Sequence, residues 1–182
     1  YVMTDEVYQF LNFNKSSYCH LAVRHPRIVS MGSFSKVIAP AFRIGWIYSY
    51  NNEIMKKLRN IGIGDSSGGN NVLNSLIVEN MLKTSVVSEY LNSEIDRLSY
   101  NCQLETLTKL NKYFDYTLPS GGYFLWLKLK PEYKYLSKYF NESNFTKFKV
   151  KFHVGSKFSI NKDFEDCIRL SLSFYEKPDI EL

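Results

Sequence analysis

From Asn70 to Leu118 the chain contains neither glycine nor proline, and no other feature of the sequence constrains the fold as strongly. An interval this long exceeds one ordinary helix, so two are expected, from Asn71 to about Lys83 and from Val86 to about Tyr113. In the second, Val87, Leu91, Ile95, Leu98 and Cys102 keep one apolar stripe, and a helix of that length bridges two domains. Before the interval, "RIVSMGSF" (Arg27 to Phe34) and "RIGWIYSY" (Arg43 to Tyr50) are β-branched and aromatic runs that read as buried strands of one sheet, separated by a loop with Pro40 and Ala41. Asn51-Asn52 then caps a short helix carrying Ile54, Leu58 and Ile61 before Gly62. After the interval, "YFDYTLPSGGYFLWLKLKP" turns at Pro119 to Gly122 and continues as a period-two strand whose burial pattern groups Phe124, Trp126 and Leu129. "KVKFHVG" and "CIRLSLSF" read as two more strands, and "EYKYLSKYFNESNFTK" as a helix followed by a surface loop. The expected organisation is an α/β unit over 1–95, including the start of the bridging helix, and a smaller α+β unit over 96–182.

Composition narrows the function. The 182 residues are 45% hydrophobic, enough for one substantial core or two modest ones. A net charge of +5, from 23 basic and 18 acidic residues, comes without a block of like charges, which argues against a nucleic-acid partner. Cys19, Cys102 and Cys167 are odd in number, lack a CxxC pair and have no ordered histidine partners, so neither a metal site nor a disulfide framework is expected. No apolar run is long enough for a membrane span, and a reducing, cytoplasmic setting is expected. The start "YVMTDEVY" reads as the end of a buried strand without an initiator Met, as in the C-terminal part of a longer protein.

Within "MGSFSKVIAPAFRIGW" (Met31 to Trp46), Lys36 stands among small and apolar residues. By position alone it reads as a lysine emerging into solvent at a strand end; an apolar pocket would instead lower its pKa and free the amine as nucleophile or base. Its company favours chemistry. Ser33 and Ser35 offer hydroxyls, Arg43 a rigid fork of donors, and Pro40 a tight return, which together outline a phosphate site. Upstream, Asp5 stands at a predicted strand end and Tyr8 follows three residues later. An amine, a phosphate clamp, a carboxylate and a phenol suit a phosphorylated pyridine aldehyde.

"SFSKVIAPAFRIGW" resembles the cofactor-lysine signature of the fold-type I, pyridoxal-phosphate-dependent class I/II aminotransferases. "DEVY" resembles their aspartate-tyrosine pair, "PSGGYFLWLKL" their first small-domain strand, and "CIRLSLSF" the strand carrying their substrate arginine. The "IAPAFR" spacing is more similar to the kynurenine/2-aminoadipate branch than to aspartate aminotransferase. The resemblance implies the C-terminal part of a large mixed-sheet domain plus a small α+β domain, pyridoxal 5'-phosphate as cofactor, and a homodimer acting on amino acids and 2-oxo acids. It makes Lys36 the Schiff-base lysine and proton carrier, with Asp5 on the pyridinium nitrogen and Tyr8 on the ring hydroxyl. Ser33, Ser35 and Arg43 would hold the phosphate, and Arg169 the substrate carboxylate. Arg169 points away from Ile168 and Leu170 on its strand and needs an anion; a structural salt bridge is the other source of one.

Two departures qualify the resemblance. Ala41 stands where the branch usually has glycine, which alters the turn and leaves the ligands in place. The family's glycine-containing phosphate loop, ring-stacking aromatic and asparagine are not among these residues, so this polypeptide alone is expected to bind cofactor weakly or not at all. "GDSSGGNN" (Gly64 to Asn71) resembles the segment that approaches the partner subunit's site in family dimers, and reads as readily as a surface loop. An aminotransferase-like regulatory domain and a lyase on the same scaffold are the competing functions.

Overall fold

The computed structural model describes residues 1–62, 69, 71–103, 105–141, 144 and 150–174. It separates into two compact units, Tyr1–Ile95 and Asp96–Leu182.

In the first unit, β1 (Val2–Asp5) pairs in parallel with β2 (Ile28–Ser33), and β2 pairs antiparallel with β3 (Gly45–Tyr48), giving the order β1-β2-β3. Register places Asp5 opposite Met31 and Ser33 opposite Gly45. Gly32 faces Trp46, and only hydrogen fits there: a Cβ at Gly32 would lie 2.2 Å from Trp46 Cζ2. The indole therefore crosses β2 over the glycine and meets Phe34 at 4.7 Å between ring centroids. β2 is the buried strand of the three, through Val29, Ser30 and Gly32. The expectation that β3 is equally buried does not hold, since Gly45, Ile47 and Tyr48 are exposed.

Helix α1 (Asn52–Arg59) starts where Asn51 accepts from the backbone N–H groups of Glu53 and Ile54. Helix α2 (Val72–Lys83) starts where Asn71 accepts from that of Asn74. Helix α3 (Val86–Cys102) buries Val87, Ile95, Leu98 and Cys102 of the stripe read from the sequence, and leaves its fifth member, Leu91, half-buried. It ends eleven residues short of the expected Tyr113, and a short α4 (Glu105–Lys109) and a 3₁₀ turn (Leu110–Lys112) follow. Tertiary hydrogen bonds favour that end. Asn101, itself buried, donates to the Leu172 carbonyl, and Tyr116 donates its hydroxyl to the carbonyl of Leu107.

The second unit contains an antiparallel sheet of order β4-β5-β7-β6, from β4 (Phe114–Asp115), β5 (Phe124–Leu129), β6 (His153–Val154) and β7 (Cys167–Ser171). The alternation in β5 corrects the sequence reading. Leu125, Leu127 and Leu129 enter the core with Ile168 and Leu172, whereas Phe124 and Trp126 take the other face, where Cys167 is also buried. Residues 131–139 form a 3₁₀ helix, Pro131–Tyr139, and most of the loop expected after it lies outside the described residues.

Candidate functional site

Because β1 and β2 run in parallel, their C-terminal ends lie at one edge of the sheet, and the antiparallel β3 begins there. Asp5 ends β1, Ser33 ends β2, Ser35 and Lys36 lie in the turn after β2, and Arg43 stands two residues before β3. Five of the expected site residues are thus delivered to one sheet edge, the place where open α/β sheets bind ligands. Tyr8 is half-buried in the turn that follows β1.

The turns fix individual groups. Asp5 is exposed, and its Oδ1 accepts from the Val7 N–H at 3.4 Å. Ser33 uses its hydroxyl locally, donating to the Ile44 carbonyl at 3.3 Å and accepting from the Ser35 N–H at 3.1 Å. Ser35 Oγ is left at the edge, where Arg43 Nη1 lies 3.5 Å away. Arg43 Nη1 is also 3.5 Å from the Pro40 carbonyl. Arg43 takes the left-handed conformation (φ 53°, ψ 38°) directly after the 3₁₀ turn Pro40–Phe42, a backbone that a residue with a Cβ adopts only when held. Asn74 on α2 supplies one restraint by donating from Nδ2 to the Phe42 carbonyl at 3.1 Å. Lys36 is exposed, so the apolar pocket considered from the sequence is not formed around it by this chain.

Sequence reasoning missed the residue that organises this edge from below. Glu6 follows Asp5, is buried, and accepts from Thr4 Oγ1 (2.6 Å), Ser30 Oγ (2.7 Å) and the Leu21 N–H (3.2 Å), with His20 Nδ1 2.7 Å from its other oxygen. Burial raises its pKa, but hydrogen bonds from Thr4, His20, Ser30 and Tyr18 outweigh that and bring it down to about 2. Burial and the same carboxylate push Tyr18 up to about 12. The four-residue "TDEV" sequence carries a signal for this: a Thr two positions before Glu on a strand shares its face. Asn74 offered no comparable signal.

Arg169 stands on β7 in the second unit, directly opposite Trp126 of β5 and His153 of β6. The salt bridge weighed as its alternative role is not found among the described residues, and its buried Nε has no hydrogen-bond partner among them. Of the "GDSSGGNN" loop, residues 64–68 and 70 lie outside the described residues. No metal-binding cluster and no helix long and apolar enough to cross a membrane occur among the described residues.

This chain has the fold of the pyridoxal-phosphate-dependent aminotransferases. It is similar to the structure of LysN, an α-aminoadipate aminotransferase from Thermus thermophilus complexed with N-(5'-phosphopyridoxyl)-L-leucine. The TM-score is 0.76 with 25% identity, over 98% of this chain and 46% of that one. In sequence it is 34% identical over 162 residues to an uncharacterized protein of Saccharomyces cerevisiae, covering 84% of this chain and 36% of that protein. It is 30% identical over 162 residues to the HTH-type transcriptional regulator NorG of Staphylococcus aureus, covering 85% of this chain and 34% of NorG. No family model matches the chain. The chain therefore spans less than half the length of these relatives.

Proposed function

We propose that this chain is the lysine-bearing part of a pyridoxal-phosphate-dependent aminotransferase that moves an amino group between an amino acid and a 2-oxo acid in two half-reactions. The observation that carries the reading is the meeting of Asp5, Ser35, Lys36 and Arg43 at one sheet edge, with Ser35 and Arg43 3.5 Å apart.

The donor set fits the cofactor. Arg43 Nη1 and Ser35 Oγ present hydrogen-bond donors to a phosphate, and Asn74 holds the backbone that aims the guanidinium. Bound there, pyridoxal phosphate supplies an aldehyde for a lysine amine and a protonated ring that withdraws electrons from the substrate's α-carbon. Asp5 keeps a proton on the ring nitrogen, and Tyr8 donates to the ring hydroxyl. Lys36 Nζ would be the amine that holds the cofactor's aldehyde carbon and the base that carries the substrate's α-proton. Arg169 holds the substrate carboxylate by a paired N–H fork. The glycine loop, ring-stacking aromatic and asparagine of the family are to come from polypeptide beyond these residues. The sequence expectation that this chain alone binds cofactor weakly rests on that division, whereas the expected homodimer rests on the resemblance and the expected cytoplasmic setting, without nucleic-acid or membrane partners, on composition and charge pattern. Residues 1–95 would act as part of the cofactor-binding domain and 96–182 as the small domain.

A second reading is favoured by the similarity to NorG: an aminotransferase-like domain that binds the cofactor to regulate and not to transaminate. One experiment separates these readings from a lyase. The intact protein, loaded with pyridoxal phosphate, is given amino acids one at a time, and the products are identified. Stoichiometric release of a 2-oxo acid with the aminated cofactor left behind is the expected result. Ammonia or a cleaved side chain would identify a lyase. Binding without turnover of any amino acid would favour the regulator.

A further inference from the structure

Trp126, Arg169 and His153 pair across three adjacent strands and share the sheet face opposite the buried Ile168. On that face the guanidinium carbon of Arg169 is 4.0 Å from the ring centroid of Phe124 and 4.3 Å from that of Phe158, both within cation–π range. Phe158 arrives on the 3₁₀ turn Gly155–Phe158. That turn needs glycine at its start, because a Cβ at Gly155 would lie 2.4 Å from the Phe164 carbonyl oxygen and 2.8 Å from Cys167 Cβ. Trp126 packs edge-on against Phe158 (5.8 Å) and Phe164 (6.0 Å), and His153 against Phe158 (6.3 Å). The aromatic residues are thus braced around one guanidinium.

We propose that Phe124 and Phe158 are positioning residues for Arg169, and that the two rings together set its preference for planar carboxylates over tetrahedral anions. The proposal rests on the reading of Arg169 as the carboxylate site. Flanking rings remove the rotational freedom of a long side chain and cover the π-surface of the guanidinium. An anion then reaches it only in the plane of its N–H edge, where the two oxygens of a carboxylate fit and the out-of-plane oxygens of a sulfonate meet a ring.

The test uses the intact protein labelled with ¹⁵N-arginine, the Nε–H signal of Arg169 assigned by its loss in Arg169→Lys, and titrations with acetate and with methanesulfonate followed by that signal and, in every variant including Arg169→Lys, by isothermal calorimetry. Acetate is expected to bind about tenfold more tightly than methanesulfonate. Phe158→Leu, which keeps apolar bulk without the π-system, is expected to weaken acetate about tenfold, or about 1.4 kcal/mol, to erase the preference, and to move the ligand-free Nε–H signal by loss of a ring current. Phe158→Tyr is expected to restore all three. Phe124→Leu makes the same comparison from the other ring should Phe158→Leu not fold. If the leucine variants leave both affinities within twofold while Arg169→Lys abolishes binding, the positioning role is wrong and the carboxylate site stands. If Arg169→Lys also binds acetate normally, the site itself is wrong and the proposal falls with it.

Discussion

Replacing Glu6 by glutamine tests the foundation of the candidate site. The carboxylate is buried and takes three hydrogen bonds on one oxygen, from Thr4, Ser30 and the Leu21 N–H, with His20 against the other. Its side chain is only 5% exposed, so solvent screens these interactions little. A pKa brought from 4.5 to about 2, at about 1.4 kcal/mol per unit, corresponds to about 3 kcal/mol of stability at neutral pH. The sign follows from linkage: the folded state holds the ionised form more strongly than the unfolded state does. The contribution is complete above pH 4.5 and is lost as the pH falls through the interval toward 2. Urea unfolding of wild type and Glu6→Gln at intervals between pH 7 and 2.5 measures it. The variant is expected to be less stable by about 3 kcal/mol at pH 7, and the gap to close as the wild type loses its advantage below pH 4.5. A gap that stays constant across that interval, or a variant as stable as wild type at pH 7, would show that the Glu6 carboxylate does not stabilise the fold through its ionised form.

Two further outcomes are expected. Gly32→Ala forces a methyl against Trp46 and should cost about 1–3 kcal/mol of stability, measured by the shift in the urea midpoint, with retention of wild-type stability contradicting the close crossing of β2 and β3. Cys19 is exposed, whereas burial pushes the thiols of Cys102 and Cys167 up to about 11. A thiol reagent at pH 7.5 should therefore label Cys19 in the native protein and the other two only after unfolding, and rapid native labelling of all three would overturn their placement in the core.

Much of the site was legible because it depends on strand ends. Asp5, Ser33 and Lys36 follow apolar, β-branched runs, and once those runs are strands, parallel pairing of the first two brings the residues to one edge. The interval without glycine or proline gave both long helices, but nothing in it marked where α3 stops, because that end rests on hydrogen bonds from Asn101 and Tyr116 to distant backbone. Period-two counting found β5 but grouped Phe124 and Trp126 with Leu129, which lies on the opposite face. Large aromatics outrank leucine in apolar content, yet Phe124 and Trp126 surround Arg169 while the leucines enter the core. Glu6 was overlooked because a glutamate next to a strand end usually faces solvent. Only the approach of Thr4, Ser30 and His20 makes its burial tolerable, and that depends on residues up to 24 positions away.

Borohydride reduction decides whether Lys36 holds pyridoxal phosphate covalently, as proposed. The intact protein is incubated with the cofactor, reduced, digested and mapped by mass spectrometry. A phosphopyridoxyl group confined to Lys36, and absent from Lys36→Ala treated in the same way, is the expected result. Label on another lysine, or no label on the intact protein, would contradict the account.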